Sequence, residues 1–270
     1  MLNELEESVA YLKSKTSLNP VVGIVLGSGL GDIVKALETE FEIPYSAIPH
    51  FPVSTVKGHP GKLLFGKLNG QPTVIMQGRF HYYEGYSMQE VTFPIRVMKM
   101  LGVETIFITN ASGGLNPKIN IGELCVITDH INLQPEHPLR GKNEDKLGPR
   151  FPDQHAVYDR KLIYEAMTIA KSNNIICHKG VYVGVSGPTF ETPAEYKFMH
   201  LLGGDCVGMS TVPEVIVANH MSMRIFCISV ICDVGNPETP QSVSHDEVVS
   251  AAVNAEPKMS LIIKSLISGL

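Results

Sequence analysis

An apolar run that breaks abruptly into glycines constrains the fold of this chain most. Residues 21–26 are VVGIVL, residues 27–31 are GSGLG, and the residues from Asp32 onward favour a helix. This pattern predicts a buried strand, a tight turn and the start of a helix. Glycines let the backbone approach a ligand closely, and the N–H groups that open a helix favour an anion. Ser28 adds a hydroxyl at the turn, so we expect either a small-anion site or a glycine turn that serves packing alone.

The order of strand, polar turn and capped helix recurs along the chain. Further strands are predicted at three places, residues 105–109, 181–185 and 224–231. Asn69-Gly70 between two short apolar runs predicts a hairpin. Four Ser or Thr residues stand three positions before a Glu and predict helix caps: Ser87, Thr192, Thr211 and Ser244. We therefore expect an α/β fold with a mainly parallel sheet covered by helices on both faces.

Ligands of such a sheet bind beyond the carboxyl ends of its strands. The residues that fall there are Ser28, Arg79, His81, Ala111, Glu191, Ser210 and Asp233. Arg79 and His81 place a guanidinium and an imidazole in one loop, and both suit a tetrahedral oxyanion. The alternative is an aromatic loop in which Arg79 pairs with a carboxylate. A second glycine turn is predicted at residues 110–114, NASGG, where it would present backbone N–H groups.

Motif spacing and composition exclude several function classes. The spacing G-x-G-x-G differs from the dinucleotide fingerprint, and the chain has no G-x-S-x-G elbow, no Walker A motif and no metal-ligand spacing. The formal charge of -5 is spread without a long basic run, which disfavours nucleic acid and membrane surfaces as partners. No stretch approaches the ~20 apolar residues of a membrane span. Five cysteines without a C-x-x-C pair predict the reduced thiols of a cytoplasmic protein. No composition break marks a linker, so we expect a single domain over residues 1–270.

Five motifs in order resemble the trimeric purine nucleoside phosphorylases. They are GSGLG at residues 27–31, GRFH at 78–81 with YEGY at 83–86, NASGGLNP at 110–117, GPTFET at 187–192 and GMSTVPE at 208–214. The resemblance covers nearly the whole chain and implies one α/β domain with a mixed central sheet, assembled as a homotrimer. It implies reversible phosphorolysis, in which inorganic phosphate attacks C1′ of a purine nucleoside or 2′-deoxynucleoside and releases the base and the sugar 1-phosphate. Phosphate is then a co-substrate, and neither a cofactor nor a metal is implied.

The resemblance also implies a role for each matched residue. Those implied to hold phosphate are Ser28, His59, Arg79, His81, the Ala111 backbone and Ser210. Those implied to contact ribose or purine are Tyr83, Phe151, Phe190, Glu191, Val207, Met209, Asp233 and His245. Catalytic roles are implied for His81, Glu191, Asp233 and His245. Phe151 would reach the pocket of a neighbouring subunit. Residues 235–243 match the family poorly and contain Pro237 and Pro240, so we expect a mobile flap over the purine there.

Asp233 departs from the family pattern, in which an Asn donates to purine N7 and contacts O6. An ionised carboxylate cannot donate, so either Asp233 is protonated when the base leaves or it accepts from a 6-amino group. The related methylthioadenosine phosphorylases carry Asp here and prefer 6-aminopurines, but they lack the glutamate that Glu191 represents. We therefore expect inosine and guanosine as substrates in purine salvage, with methylthioadenosine or adenosine as the alternative. A structural alternative is that Asp233 caps a neighbouring turn and never meets the base.

Two different function classes stay open. One is a protein that binds a nucleoside or phosphate without turnover, and it would release no hypoxanthine from inosine and phosphate. The other is an NAD-dependent dehydrogenase, which the glycine spacing of residues 27–31 disfavours. Titration with NAD would separate the dehydrogenase from both other readings.

Overall fold

Nine strands pair into one sheet over residues 1–55, 60–235 and 244–270, the residues that the computed structural model describes. The strands are β1 (Val22–Val25), β2 (Glu38–Pro44), β3 (Lys62–Leu68), β4 (Gln71–Gln77), β5 (Thr105–Gly114), β6 (Leu124–Asn132), β7 (Cys177–Gly184), β8 (Cys206–Gly208) and β9 (Arg224–Val234). Their order is β2-β3-β4-β1-β5-β8-β7-β6-β9, and β5 also pairs with β9. The strands from β5 to β9 therefore form a closed ring.

The sheet is mixed, which confirms the fold implied by the family resemblance and differs from the mainly parallel sheet expected from the strand and helix pattern. Neighbours β1–β4, β1–β5, β5–β9, β6–β7 and β7–β8 are parallel. The pairs β2–β3, β3–β4, β5–β8 and β6–β9 are antiparallel. The predicted hairpin supplies the β3–β4 pair, and Asn69 and Gly70 have the positive φ angles, 49° and 81°, of its tight turn.

Six α-helices of the described residues flank the sheet. They are α1 (Leu2–Lys15), α2 (Met88–Leu101), α3 (Arg160–Ser172), α4 (Pro193–Leu201), α5 (Val212–His220) and α6 (His245–Ser268). The predicted caps each stand directly before a helix, at Ser87, Thr192, Thr211 and Ser244. Helix α2 contacts α1 and α5, whereas α3 packs on α6. Helix α5 contacts β9, and α6 contacts both β9 and β5, where the rings of Phe107 and Phe226 lie 5.7 Å apart.

Two local predictions differ from the structure. The residues after the first glycine turn form a short 3-10 helix, Asp32–Ala36, because the chain becomes extended again at Leu37 and enters β2. Residues 110–114 are not a turn, since β5 continues to Gly114 and pairs with β9 along this stretch. Close packing explains the glycine there: a Cβ on Gly114 would lie 3.0 Å from Ile231 Cγ2.

The cysteine prediction is confirmed, because all five cysteines are free in the structure. Four of them are buried and Cys177 is half-buried, as small apolar side chains of a core are. Within the described ranges, no helix combines the length and the apolarity that crossing a membrane requires.

Candidate active site

A cavity of about 640 Å³ lies beyond the carboxyl ends of β1, β4, β5, β8 and β9. This is the edge at which the sequence predicts the ligand site. The predicted residues that line it are Ser28, Arg79, His81, Tyr83, Ala111, Phe190, Glu191, Val207, Met209, Ser210, Asp233 and His245. The structure thus brings twelve of the fourteen predicted site residues to one space.

The glycine turn after β1 packs directly on β5. The Gly27 N–H donates to Thr109 Oγ1 at 3.1 Å, and a Cβ on Gly27 would lie 2.9 Å from the Asn110 Cα. The missing side chain therefore lets the turn touch β5 and form part of the cavity wall. The Ile33 N–H, in the 3-10 helix that follows, donates to the Glu256 carboxylate at 2.9 Å. The Ile33 N–H, which the sequence pattern predicts to be available to an external anion, is therefore bonded to Glu256 of the same chain.

Arg79 is buried beside the cavity in a fixed orientation. Its Nε and Nη2 atoms donate to different carboxylate oxygens of Glu214, each at 3.0 Å. Its Nη1 atom donates to the Thr109 carbonyl at 2.6 Å and to Ser210 Oγ at 3.3 Å. Both interpretations of Arg79 hold together: it pairs with a carboxylate, and it also lines the cavity. These hydrogen bonds from its three nitrogen atoms hold the Arg79 guanidinium in one orientation beside the cavity.

His81 is oriented by a neighbouring glutamate. Glu84 Oε1 lies 3.0 Å from His81 Nδ1 and accepts the His81 backbone N–H at 2.8 Å. Burial alone would raise the pKa of Glu84, but hydrogen bonds from His81 and Thr55 lower it to about 2. Burial lowers the pKa of His81, with the bond to Glu84 opposing. A neutral His81 therefore donates through Nδ1 and carries its acceptor lone pair on Nε2, while the Tyr83 ring stacks on it at 4.7 Å.

Two carboxyl groups line the cavity near the end of β9. Asp233 is 8% exposed and accepts a hydrogen bond from the Tyr196 hydroxyl at 2.5 Å. Burial raises the pKa of Asp233, and the bond from Tyr196 opposes the shift. Burial also raises the pKa of Glu191 to about 7, with a contribution from the negative charge of Asp233. Asp233 therefore does not cap a turn away from the site, and its environment favours the neutral carboxyl.

Strand β5 joins these two parts of the cavity. Asn110 contacts the glycine turn, whereas a Cβ on Gly113 would lie 3.0 Å from Asp233 Oδ2. Three residues of extended strand separate the two positions by about 10 Å. The cavity therefore holds a guanidinium, hydroxyls and an imidazole at one end, which suit an oxyanion, and carboxyl groups at the other, which suit a heterocycle rich in N–H groups.

Comparison with known proteins identifies the family. The model of the phosphorylase superfamily matches residues 21–268. The chain belongs to the phosphorylase superfamily. Within it, the chain is 47% identical over 268 residues to purine nucleoside phosphorylase 1 of Bacillus subtilis strain 168, with 99% of each protein covered. The Bos taurus purine nucleoside phosphorylase is 44% identical over 274 residues, which cover 99% of this chain and 95% of that protein.

A solved structure supports the same placement within the phosphorylase superfamily. Isoform 2 of purine nucleoside phosphorylase from Schistosoma mansoni, in complex with cytosine and ribose-1-phosphate, matches with a TM-score of 0.95 and 41% identity. The match covers 99% of this chain and 96% of that chain. The resemblance identified from the sequence motifs is thereby confirmed, and membership of the phosphorylase superfamily contradicts the dehydrogenase alternative.

Of the two remaining predicted residues, Phe151 is not among the described residues that line the cavity. Phe151 lies in the long segment before α3, and 87% of its side chain is exposed. His59 lies outside the described residues, as do residues 236–243 of the expected flap. An aromatic side chain this exposed on a single chain of the phosphorylase superfamily is compatible with a contact to a neighbouring subunit.

Three residues that orient the predicted ones are absent from the set predicted from the sequence: Glu84, Tyr196 and Glu214. Glu214 is the third residue of α5 and belongs to its predicted cap. Its spacing in the sequence therefore indicates only a helix start and gives no sign that it pairs with Arg79. Glu84 has the same three-residue spacing from His81. Among the residues that the structure describes, no cluster of three or more His, Cys, Asp or Glu is arranged to hold a metal ion.

Proposed function

We propose that the protein catalyses the reversible phosphorolysis of purine ribonucleosides and 2′-deoxyribonucleosides, with inosine and guanosine as its main substrates. The observation that carries the proposal is the single cavity whose two ends, about 10 Å apart along β5, suit an oxyanion and a purine. Relatives at 43–47% identity over 99% of the chain are named purine nucleoside phosphorylases, which supports it.

Phosphate is the proposed nucleophile. Ser28, Arg79, Ser210 and the Ala111 backbone surround it, and the His81 imidazole accepts or shares its proton. One phosphate oxygen forms a bond to C1′ of the sugar while the bond from C1′ to N9 breaks, and the bonding electron pair passes to the purine ring. Holding the two reactants in line converts an encounter between molecules into a reaction within one complex.

The leaving purine takes up negative charge, and the carboxyl end of the cavity meets it. Phe190 packs on the ring, ionised Glu191 accepts from N1–H, and the neutral form of Asp233 donates to N7 or O6. Burial raises the pKa of Asp233, which is the direction that a donating carboxyl requires.

The remaining predicted residues complete the proposed site. Tyr83, Val207 and Met209 border the ribose and base, and His245 contacts the 5′-hydroxyl. His59 adds to the phosphate end. Phe151 enters the ribose pocket of an adjacent subunit, so the working enzyme is a homotrimer. It acts in the cytoplasm in purine salvage and requires no cofactor or metal.

The decisive experiment compares phosphate-dependent cleavage of inosine, guanosine, adenosine and methylthioadenosine. We expect inosine and guanosine to be cleaved with the highest kcat/KM. Preference for methylthioadenosine over inosine would reject the proposed base specificity, and binding of inosine and phosphate without release of hypoxanthine would favour a binding protein. A related Schistosoma mansoni enzyme has been solved in complex with adenosine, so measurable activity on adenosine is compatible with the proposal.

The variant Asp233→Asn tests the departure from the family pattern. An amide donates in every protonation state, so this variant should prefer 6-oxopurines over adenosine more strongly than the wild type. Unchanged substrate ratios would remove Asp233 from base recognition.

A further inference from the structure

Tyr196 reaches the purine end of the cavity from α4, which begins directly after the segment that carries Glu191. Its side chain is almost fully buried at 6% exposure, and its hydroxyl donates to Asp233 Oδ2 at 2.5 Å. The same hydroxyl also lies near Glu191 and opposes the rise that burial causes in the pKa of that carboxyl. One phenol thus bonds to Asp233 and influences the second carboxyl group of the purine end.

Two glycines make room for this arrangement. A Cβ on Gly113 would lie 3.0 Å from Asp233 Oδ2 and 3.2 Å from Tyr196 Oη. A Cβ on Gly235 would lie 2.0 Å from Tyr196 Cδ1, inside the ring's own volume. The ring therefore packs on the backbone just after Asp233, and the hydroxyl lies against the backbone of β5. Packing from both sides holds the phenol in one orientation.

We propose that Tyr196 is a positioning residue for the purine site, which holds the Asp233 carboxyl so that its second oxygen, Oδ1, carries the proton given to the leaving base. The inference rests on the proposed function. A phenol has one hydrogen to donate, and here that hydrogen occupies Oδ2. The proton of a neutral Asp233 therefore belongs on Oδ1. Because α4 also follows Glu191 directly, the same phenol fixes the position of Asp233, the donor to N7, relative to Glu191, the acceptor for N1–H.

The groups that face Asp233 come from several elements. Tyr196 and Glu191 approach from α4 and the segment before it, Cys232 is its neighbour on β9, and His245 lines the same cavity from the start of α6. Glu191 and Asp233 repel each other when both are ionised. Removal of the phenol hydrogen therefore affects both carboxyl groups, and a test has to separate them.

Tyr196→Phe removes the hydroxyl and keeps the ring. We expect the maximal kcat/KM for inosine to fall about 10-fold, since a hydrogen bond of this kind contributes about one factor of ten. The descending alkaline limb of the pH profile should move up by about one pH unit, because the lost bond favoured the ionised carboxyl. Tyr164→Phe, which removes an exposed hydroxyl on α3, is the matched control and should change neither value.

The double variant Asp233→Asn with Tyr196→Phe separates the two carboxyl groups. If Asp233 is the group that Tyr196 positions, Tyr196→Phe moves no descending limb in the Asp233→Asn background, whatever it does to the ascending limb of Glu191. A descending limb that moves equally in that background assigns the effect to another group and overturns the proposal, as does an unchanged descending limb in the single variant. Gly113→Ala crowds the same hydrogen bond from β5 and should move the limb in the same direction, which provides a second test if Tyr196→Phe fails to fold.

A measurement without turnover separates this inference from the proposed function. Carbon-13 NMR of labelled Asp side chains follows the titration of Asp233, identified by its loss in Asp233→Asn. We expect the midpoint to rise by about one pH unit in Tyr196→Phe. A wild type that releases no base with phosphate contradicts the proposed function, whereas an unmoved midpoint contradicts the positioning role of Tyr196.

Discussion

Arg79 and Glu214 form a two-point ion pair inside the protein, with side-chain exposures of 2% and 3%. Glu214 Oε2 also accepts the Thr211 N–H at 3.0 Å. The carboxylate therefore fastens the guanidinium to the start of α5, next to Ser210. A buried charge that is paired and hydrogen-bonded in this way keeps its position when a second anion arrives, which is what a phosphate site requires.

Glu214→Gln tests this pair. The substitution keeps the shape and removes the charge, so Arg79 becomes a buried cation without its counter-ion. Loss of one partner of a buried pair costs about 3 kcal/mol in the free energy of unfolding, to be measured by urea denaturation. Asp32→Asn, which removes an exposed pair with Lys35, should give no measurable change. A similar loss of unfolding free energy in both variants would contradict the claim that the Arg79–Glu214 pair contributes more because it is buried.

Gly27 and Gly31 provide a matched pair within the glycine turn. A Cβ on Gly27 would lie 2.9 Å from backbone of β5, whereas a Cβ on Gly31 has Gln77 Nε2 at 4.0 Å as its nearest neighbour. Gly27→Ala should therefore destabilise the protein by about 1–3 kcal/mol and raise the KM for phosphate. Gly31→Ala should do neither, because Gly31 has an ordinary φ of −94°. Thermal unfolding and phosphate titration of kcat/KM measure both effects, and equal behaviour of the two variants would contradict a specific packing role for Gly27.

Ser28→Ala separates the two ends of the cavity. The hydroxyl lies in the wall assigned to phosphate, so its loss should raise the KM for phosphate about 10-fold, the equivalent of one hydrogen bond, and leave the KM for inosine nearly unchanged. Initial rates at varied phosphate and fixed inosine, and the reverse, measure this. Ser14→Ala on the exposed face of α1 is the control. An unaltered phosphate dependence would exclude Ser28 from the phosphate site.

Local sequence rules predict much of this fold. Four caps, a hairpin and the buried strand β1 follow from short patterns whose physics is local. The sheet order does not, because pairing between β5 and β9 depends on contacts between distant segments. Residues 110–114 show the limit: a pair of glycines indicates a turn locally, yet in the structure it permits a strand to pass close to Asp233 and Ile231.

The candidate site divides in the same way. Residues that face the cavity could be predicted for two reasons. Polar side chains follow the ends of the predicted strands, and the order of the five sequence motifs resembles that of the purine nucleoside phosphorylases. Glu84, Tyr196 and Glu214 could not, because each acts through a predicted residue and carries an ordinary local explanation as a cap or as an apolar helix position. Their role depends on burial and on distances across elements, which only the structure provides.

Glu191 leads to a prediction about pH. Its pKa is raised to about 7, and an ionised carboxylate is needed to accept from N1–H of a 6-oxopurine. The kcat/KM for inosine should therefore rise as pH increases through about 7, since the ionised fraction of the free enzyme grows there. At higher pH it should fall again as the coupled pair of Glu191 and Asp233 loses its last proton, the one that the proposed mechanism keeps on Asp233. A bell-shaped profile is the expected result.

Glu191→Gln removes the ascending limb of that profile. The amide has no titration near neutral pH, so the acid side of the profile becomes flat while the maximal kcat/KM falls about 10- to 100-fold, the equivalent of one hydrogen bond to a charged group. Glu195→Gln, four residues on, alters only the exposed cap of α4 and should keep the wild-type profile. Both variants change a glutamate to its amide near the start of α4, so they differ only in which carboxyl group is removed. An ascending limb that persists in Glu191→Gln would show that another group causes this limb. His81 on the phosphate side is then the first candidate, because an imidazole titrates in this pH range.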